Sequence, residues 1–144
     1  MTGLELHVLN SDMALAAWPQ IRPLVEKCVG NAYHGEMTTD DFLVLLTEKK
    51  VFAIAGFMKN RMVVIGIFEP IEYPRLRTLS CILAAGDTPG VMRKINAEWM
   101  GKLRAYARSL GFDAIECMAS DAMGRVLRPM GYRKLYNFFR MDLR

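Results

Sequence analysis

One amphipathic stretch near the middle of the chain restricts the fold more than any other. Met92, Ile95, Trp99, Leu103, Tyr106 and Leu110 step by three or four positions, which places them on one stripe of a helix spanning 91–110. Gly90 precedes that helix and Gly111 stops it. An apolar segment with strand character, Arg75–Ala85, lies before it, and a second, 114–119, lies after it. Strand, helix and strand in that order return to one sheet as a right-handed crossover, so those two strands are expected to be parallel. Upstream, Val51–Met58 and Met62–Glu69 are separated only by Lys59-Asn60-Arg61, a tight hairpin that makes them antiparallel. A sheet holding both arrangements is mixed, and its helices must cover its faces.

The remaining segments fit around this centre. Leu4, Leu6 and Val8 alternate with polar residues, the pattern of a half-buried strand. Ser11-Asp12 offers a helix cap; Pro19 and Pro23 then predict a short first turn, a break, and a helix from about residue 20 to Gly30. Residues 31–35 read as loop, and Thr38 with Asp41 reads as a capping box ahead of Phe42, Leu45 and Leu46. Pro70–Pro74 reads as a loop before the third strand. Ser120 is a cap for a short helix, Asp121–Met130, and Tyr132–Leu143 is expected as a long last strand with Leu135, Phe139, Met141 and Leu143 on one face. The predicted order is β-α-α-β-β-β-α-β-α-β: an α/β chain with a central mixed sheet flanked by helices. At 144 residues it is expected to form a single domain, 1–144.

Composition removes several function classes. Apolar residues are 52% and charged residues 24%, which is globular rather than disordered. Uninterrupted apolar runs such as Met62–Phe68 fall far short of the ~20 residues of a membrane span. Met1–Val8 lacks the basic start of a secretory signal, and Cys28, Cys81 and Cys117 are an odd, dispersed set that reads as buried thiols. These features imply a cytoplasmic protein. His7 and His34 are the only histidines and no cysteine pair has ligand spacing, so no metal is expected. Residues 1–90 carry 8 basic and 10 acidic side chains, whereas 91–144 carry 11 and 5. The basic third is not a run and is not interleaved with aromatics along one face, so nucleic-acid binding is not expected. Homodimerisation is left open.

The element order and the run Gly86-Asp87-Thr88-Pro89-Gly90 ahead of the long helix resemble the GNAT superfamily of acetyl-CoA-dependent N-acetyltransferases. The stretch LGFDAIECMASDAMGRVLRPMGYRKLYNFFRMDL is the most similar part, and it looks especially like small GNAT-like proteins of tailed phages. The resemblance implies an acyl-CoA-dependent N-acyltransferase with acetyl-CoA as co-substrate and an amine acceptor it does not name. If the chain is phage-encoded, the host cytoplasm is its place. The alternative reading is a catalytically silent GNAT-fold binding protein.

Carried onto these residues, the resemblance places cofactor contacts at the backbone of Leu83, Ala84 and Ala85 and along the loop Gly86, Thr88, Gly90, Val91, Met92 and Arg93. Gly90 alone matches the family's phosphate loop; Met92 stands where a second small residue is usual, Asp87 adds a negative charge, and Pro89 lacks an N–H. The family's helix asparagine falls on Ser120 and its acid tyrosine on Leu127, which cannot donate a proton. Tyr132 and Tyr136 are the substitute acids, with Tyr136 the residue assigned, and Glu69 and Glu72 are the candidate bases.

Overall fold

The computed structural model describes residues 3–144. Strand β1 (Glu5–Leu9) is followed by helices α1 (Ser11–Ala16), α2 (Trp18–Ala32) and α3 (Thr39–Thr47). Three long strands come next: β2 (Phe52–Met58), β3 (Arg61–Glu72) and β4 (Arg77–Gly86). Helix α4 (Val91–Ser109), strand β5 (Ala114–Glu116) and helix α5 (Asp121–Leu127), which tightens into a 3-10 turn at Arg128–Met130, complete the order. The strands lie side by side in chain order, antiparallel throughout except for the parallel pair β4–β5. This is the mixed sheet that the crossover argument requires. No helix among the described residues is long and apolar enough to cross a membrane.

Each face of the sheet has its own core. Ala14, Ile21, Val25, Phe42 and Leu46 of the first three helices pack on Ala53, Ala55, Ile65, Ile67 and Leu83. On the other face α4 lays Ile95, Trp99 and Leu103 over Ile54, Val63, Phe68 and Leu79. Trp99 reaches the sheet because Gly66 has no side chain: a Cβ there would stand 3.1 Å from its ring and closer still to Phe68. Burial of a side chain of this kind contributes about 1.5–3 kcal/mol, so the stripe on α4 anchors the helix firmly.

Local signals account for most boundaries. The Asn10 side chain accepts from Met13 N and caps α1. Thr38 and Asp41 close their capping box at the start of α3. Pro19 sits in the first turn of α2, where an N–H has no helical partner; Pro23 is carried inside the same helix, which runs on to Ala32 through residues expected to be loop.

Three other expectations change. First, β3 continues through Pro70 to Glu72, paired with β4, instead of ending at Glu69. By then β2 has ended opposite Phe68, so at Pro70 the flank of β3 that faced β2 is an edge, where a missing N–H costs no ladder bond. Second, β5 is three residues long rather than six. Third, Tyr132–Leu143 is not a strand: among the described residues nothing in the sheet pairs with it, although its sequence alternates as a strand's does. Alternation marks a face that wants cover; it does not supply the neighbouring strand.

Candidate active site

The distinctive geometry lies where β4 and β5 part. They pair only at Thr78–Ala114, Leu79–Ile115 and Ser80–Glu116. Beyond Ser80, β4 runs on to Gly86 with no strand on its outer flank among the described residues, so the two strands form a fork. Leu83, Ala84, Ala85 and Gly86 all lie on this open edge. Two side chains reach it, one from α2 and one from the residue that caps its end: Cys28 Sγ approaches Ala84 O at 3.5 Å, and the Tyr33 hydroxyl donates to Ile82 O.

The edge leads directly to the start of α4. Gly90 is its N-cap in the left-handed region, φ 82°, and no side chain caps the helix there. Thr88 O accepts from Val91 N at 3.2 Å and Gly90 O from Lys94 N at 3.4 Å. Among the described residues Met92 and Arg93 N–H have no backbone acceptor, so the positive end of a 19-residue helix is presented uncapped. A Cβ at Gly90 would meet nothing within 4 Å, so the space before this turn is open. A Cβ at Gly86 would instead stand 2.4 Å from Val91 Cγ1: this glycine lets the first turn of α4 close onto the sheet. Val91 and Met92 pack inward on the α4-side core, and Met92 lies against Gly86 rather than standing over the turn.

The charge at Asp87 is drawn away from the loop. Its carboxylate is largely covered, with 17% of the side chain exposed, and Oδ2 lies 3.3 Å from Arg61 Nε on β3. Its carbonyl accepts from Lys27 Nζ at 2.8 Å, and its N–H donates to Val63 O. Oδ1 is buried without a hydrogen-bond partner among the described residues. Lys27, Arg61, Arg93 and Lys94 therefore leave the loop region cationic on balance, as an anion site requires. Neither Lys27 nor Arg61 was visible as a loop partner in sequence, because they come from separate elements.

At the crotch of the fork, Cys81 and Cys117 each follow a residue of the last paired rung, Ser80 and Glu116. Burial pushes the Cys81 thiol up to about 12, and burial also raises Cys117 and Cys28. All three stay protonated at neutral pH, so none is poised as a nucleophile. Tyr132 stands beside this pair. Burial raises its phenol, the two neighbouring thiols raise it further, and its hydroxyl meets the weak acceptor Met100 Sδ at 3.9 Å. Gly131, with φ 101°, and the Arg104 guanidinium on Met130 O hold the turn that delivers it.

The remaining assigned residues divide. Glu69, Ser80 and Glu116 occupy one rung across β3, β4 and β5, which sets two carboxylates on the same face beside the fork. Glu116 accepts from the Tyr73 hydroxyl at 3.0 Å, an interaction with no sequence motif behind it. Glu72 is paired with Arg77 at 2.7 Å, on the rung at the far end of β4 from the open edge, and is not brought to the fork. Ser120 spends its hydroxyl as the N-cap of α5, accepting from Met123 N at 3.2 Å. Tyr136 is 87% exposed and lies toward Tyr73 rather than beside the thiols. Leu127 ends α5.

Solved structures share this fold. An aminoglycoside acetyltransferase from an uncultured soil metagenomic sample, in complex with sisomicin, superposes with a TM-score of 0.69 at 14% identity, over 97% of each chain. A ribosomal-protein-alanine N-acetyltransferase from Brucella melitensis biovar Abortus 2308 gives 0.73 at 14% identity, over 97% of this chain and 99% of that one. A predicted acetyltransferase from Clostridium acetobutylicum, solved with acetyl-CoA, gives 0.68 at 12% identity, over 97% and 96%. The fold is that of the GNAT acetyltransferases. No family model and no curated protein sequence matches the chain.

Proposed function

We propose that this GNAT-fold chain transfers an acetyl group from acetyl-CoA to an amine. The observation that carries the reading is the continuous path from the open edge of β4 to the uncapped start of α4, across a left-handed Gly90 with free space before it. A pantetheine arm is an extended chain of amides and suits main-chain pairing along such an edge. The pyrophosphate suits the Met92 and Arg93 amides, with Arg93 and Lys94 adding charge.

The transfer needs three services. A base removes a proton from the attacking amine; Glu69 and Glu116 face that side of the fork. A backbone N–H of β4 steadies the oxyanion as the thioester carbonyl becomes tetrahedral. An acid returns a proton to the departing thiolate, and Tyr132 is the phenol beside the fork that stays protonated. The protonated thiols favour direct transfer over an acetyl-cysteine intermediate. The acetyl–sulfur bond breaks, the acetyl–nitrogen bond forms, and the proton lost by the amine balances the one gained by CoA.

A second reading, a binding protein without catalysis, draws on two observations: Tyr33 and Cys28 already engage Ile82 O and Ala84 O, and Leu127 stands at the family's acid position. Thermal shift with acetyl-CoA, followed by an amine panel, separates the two. Ligand at 100 times its dissociation constant stabilises the native state by about 2.7 kcal/mol, several degrees in a domain of this size. Gly90→Asp is expected to abolish that shift while Gly90→Asn keeps most of it, since both accept the left-handed backbone and only one repels phosphate. No shift at millimolar acetyl-CoA refutes the enzyme reading. A shift without transfer to any amine favours the silent one.

A further inference from the structure

The two faces of the sheet at the fork differ in chemistry. Leu79, Cys81 and Ile115 pack on the α4 side with Tyr132, so by alternation Thr78, Ser80 and Glu116 belong to the opposite face, the one that carries the first three helices. On that face one buried group is unsatisfied. Thr78 is 2% exposed, and its Oγ1 has no hydrogen-bond partner among the described residues. A buried hydroxyl left so is destabilising and calls for a physical reason. Tyr73 reaches it from the turn between β3 and β4, but the phenol donates its own proton elsewhere, to Glu116 at 3.0 Å.

Three oxygens therefore gather beside the last paired rung: Thr78 Oγ1, the Tyr73 hydroxyl and the Glu116 carboxylate. The phenol proton is spent on the carboxylate, so the group offers lone pairs and a negative charge. An alkylammonium, with three N–H donors and no acceptor, completes it. Tyr73 is 44% exposed, so the ammonium enters by moving that phenol aside by about one hydrogen-bond length. The surrounding charges agree. Lys50, which faces Glu69, is paired with Glu48 at 2.9 Å, and Arg140 is spent on Glu36. The loop before α4, by contrast, carries Lys27, Arg61, Arg93 and Lys94.

We propose that Glu116, Tyr73 and Thr78 hold a second, non-reacting ammonium of the acceptor, so that the amine acetylated by this chain belongs to a short aliphatic diamine, an assignment that rests on the transferase reading and adds to it the class of acceptor. Glu69, across the Ser80 rung, makes no side-chain hydrogen bond among the described residues and is left as the base. Length follows from the sheet. The ammonium group sits at the Ser80–Glu116 rung, and the fork opens over the next two residues of β4, about 7 Å further on. An extended chain of single bonds advances by about 1.25 Å per bond, so roughly five or six bonds between the nitrogens span that distance. The attacking nitrogen gives its proton to the base and takes the acetyl group; the other keeps its charge and its three N–H groups throughout.

The test compares 1,5-diaminopentane with n-pentylamine and 5-aminopentanoate, which keep the length but replace the second ammonium by hydrogen or by a carboxylate. With acetyl-CoA, kcat/KM is expected to be at least about tenfold higher for the diamine than for pentylamine, the scale of one hydrogen bond to a charged group, and lowest for the carboxylate. Glu116→Gln is expected to erase most of that preference, and Thr78→Val to reduce it without lowering the melting temperature, since no bond of Oγ1 is lost. Equal rates on the diamine and pentylamine overturn the proposal. A Glu116→Gln variant that slows both amines by the same factor also overturns it, because Glu116 is then a base or a structural group. When no amine is acetylated, the transferase reading fails by itself and the ammonium site is read by binding instead. Titration of the ¹⁵N-labelled chain and CoA with 1,5-diaminopentane should shift the Thr78 and Glu116 amides at concentrations about tenfold below those pentylamine requires. Equal titrations for the two amines overturn the ammonium site as well.

Discussion

Gly86→Ala is the most informative single change, because its cost can be worked from the structure. The new Cβ would stand 2.4 Å from Val91 Cγ1 and 3.3 Å from Met92 Cγ, against an ordinary carbon contact of about 3.5–4.0 Å. Methionine can bend away; valine, branched at Cβ and held near one rotamer in a helix, cannot. The first turn of α4 must therefore slide by about 1 Å, or Val91 must leave its rotamer, and such overpacking costs about 1–3 kcal/mol. For a domain of this length that is a fall in melting temperature of about 3–15 °C. Removing the obstructing methyls supplies the control. Gly86→Ala with Val91→Ala should recover more than half of the loss, a coupling of about 1–2 kcal/mol between touching residues. Melting followed by circular dichroism, with urea unfolding alongside, measures all four corners of the cycle. A single variant that melts within about 2 °C of the parent, or a double variant no better than the single, refutes the close-approach account of this glycine. If it holds, Gly86→Ala should also weaken the acetyl-CoA shift, because the displaced turn carries the Met92 and Arg93 amides.

Other outcomes follow from the same structure. Tyr132→Phe is expected to lower kcat by roughly 10²-fold or more, as loss of a general acid does, while leaving the KM for acetyl-CoA near its parental value, with pH–rate profiles of both proteins as the check. An unchanged kcat would transfer the role to another group. Glu36 is held down to about 2, first by the Arg140 hydrogen bond and then by backbone N–H groups. A carboxylate depressed in the folded state contributes stability above its unfolded value, near 4.5, and loses that contribution as pH falls toward 2. Glu36→Gln should therefore melt below the parent at neutral pH and converge with it in acid; a gap that persists to pH ~2 would rule out the linkage.

The helix with its stripe, the crossover, the central hairpin and the caps at Thr38 and Ser120 were legible in the sequence, because each depends on residues within a few positions of one another. A 3.6-residue stripe and a capping box are local physics, and they appear where the spacing places them. Gly90 is legible for the same reason, since a turn into a helix needs a residue that accepts positive φ. What the site contains beyond that backbone was not. The neutralisation of Asp87 joins Arg61, a residue of the hairpin, to a loop more than twenty positions away, and Lys27 arrives from a helix on the other side of the sheet. Glu69 and Glu116 share a rung only because β3, β4 and β5 take one particular register, and Glu72, three residues on, is removed by the same register to Arg77. The end of the chain shows the limit most plainly. Alternation from Tyr132 to Leu143 reads as a strand, yet Leu135, Tyr136, Phe138, Phe139, Met141 and Leu143 all stay exposed. Whether such a segment becomes a strand depends on which sheet edges lie within its reach, and only the packing of the other elements decides that.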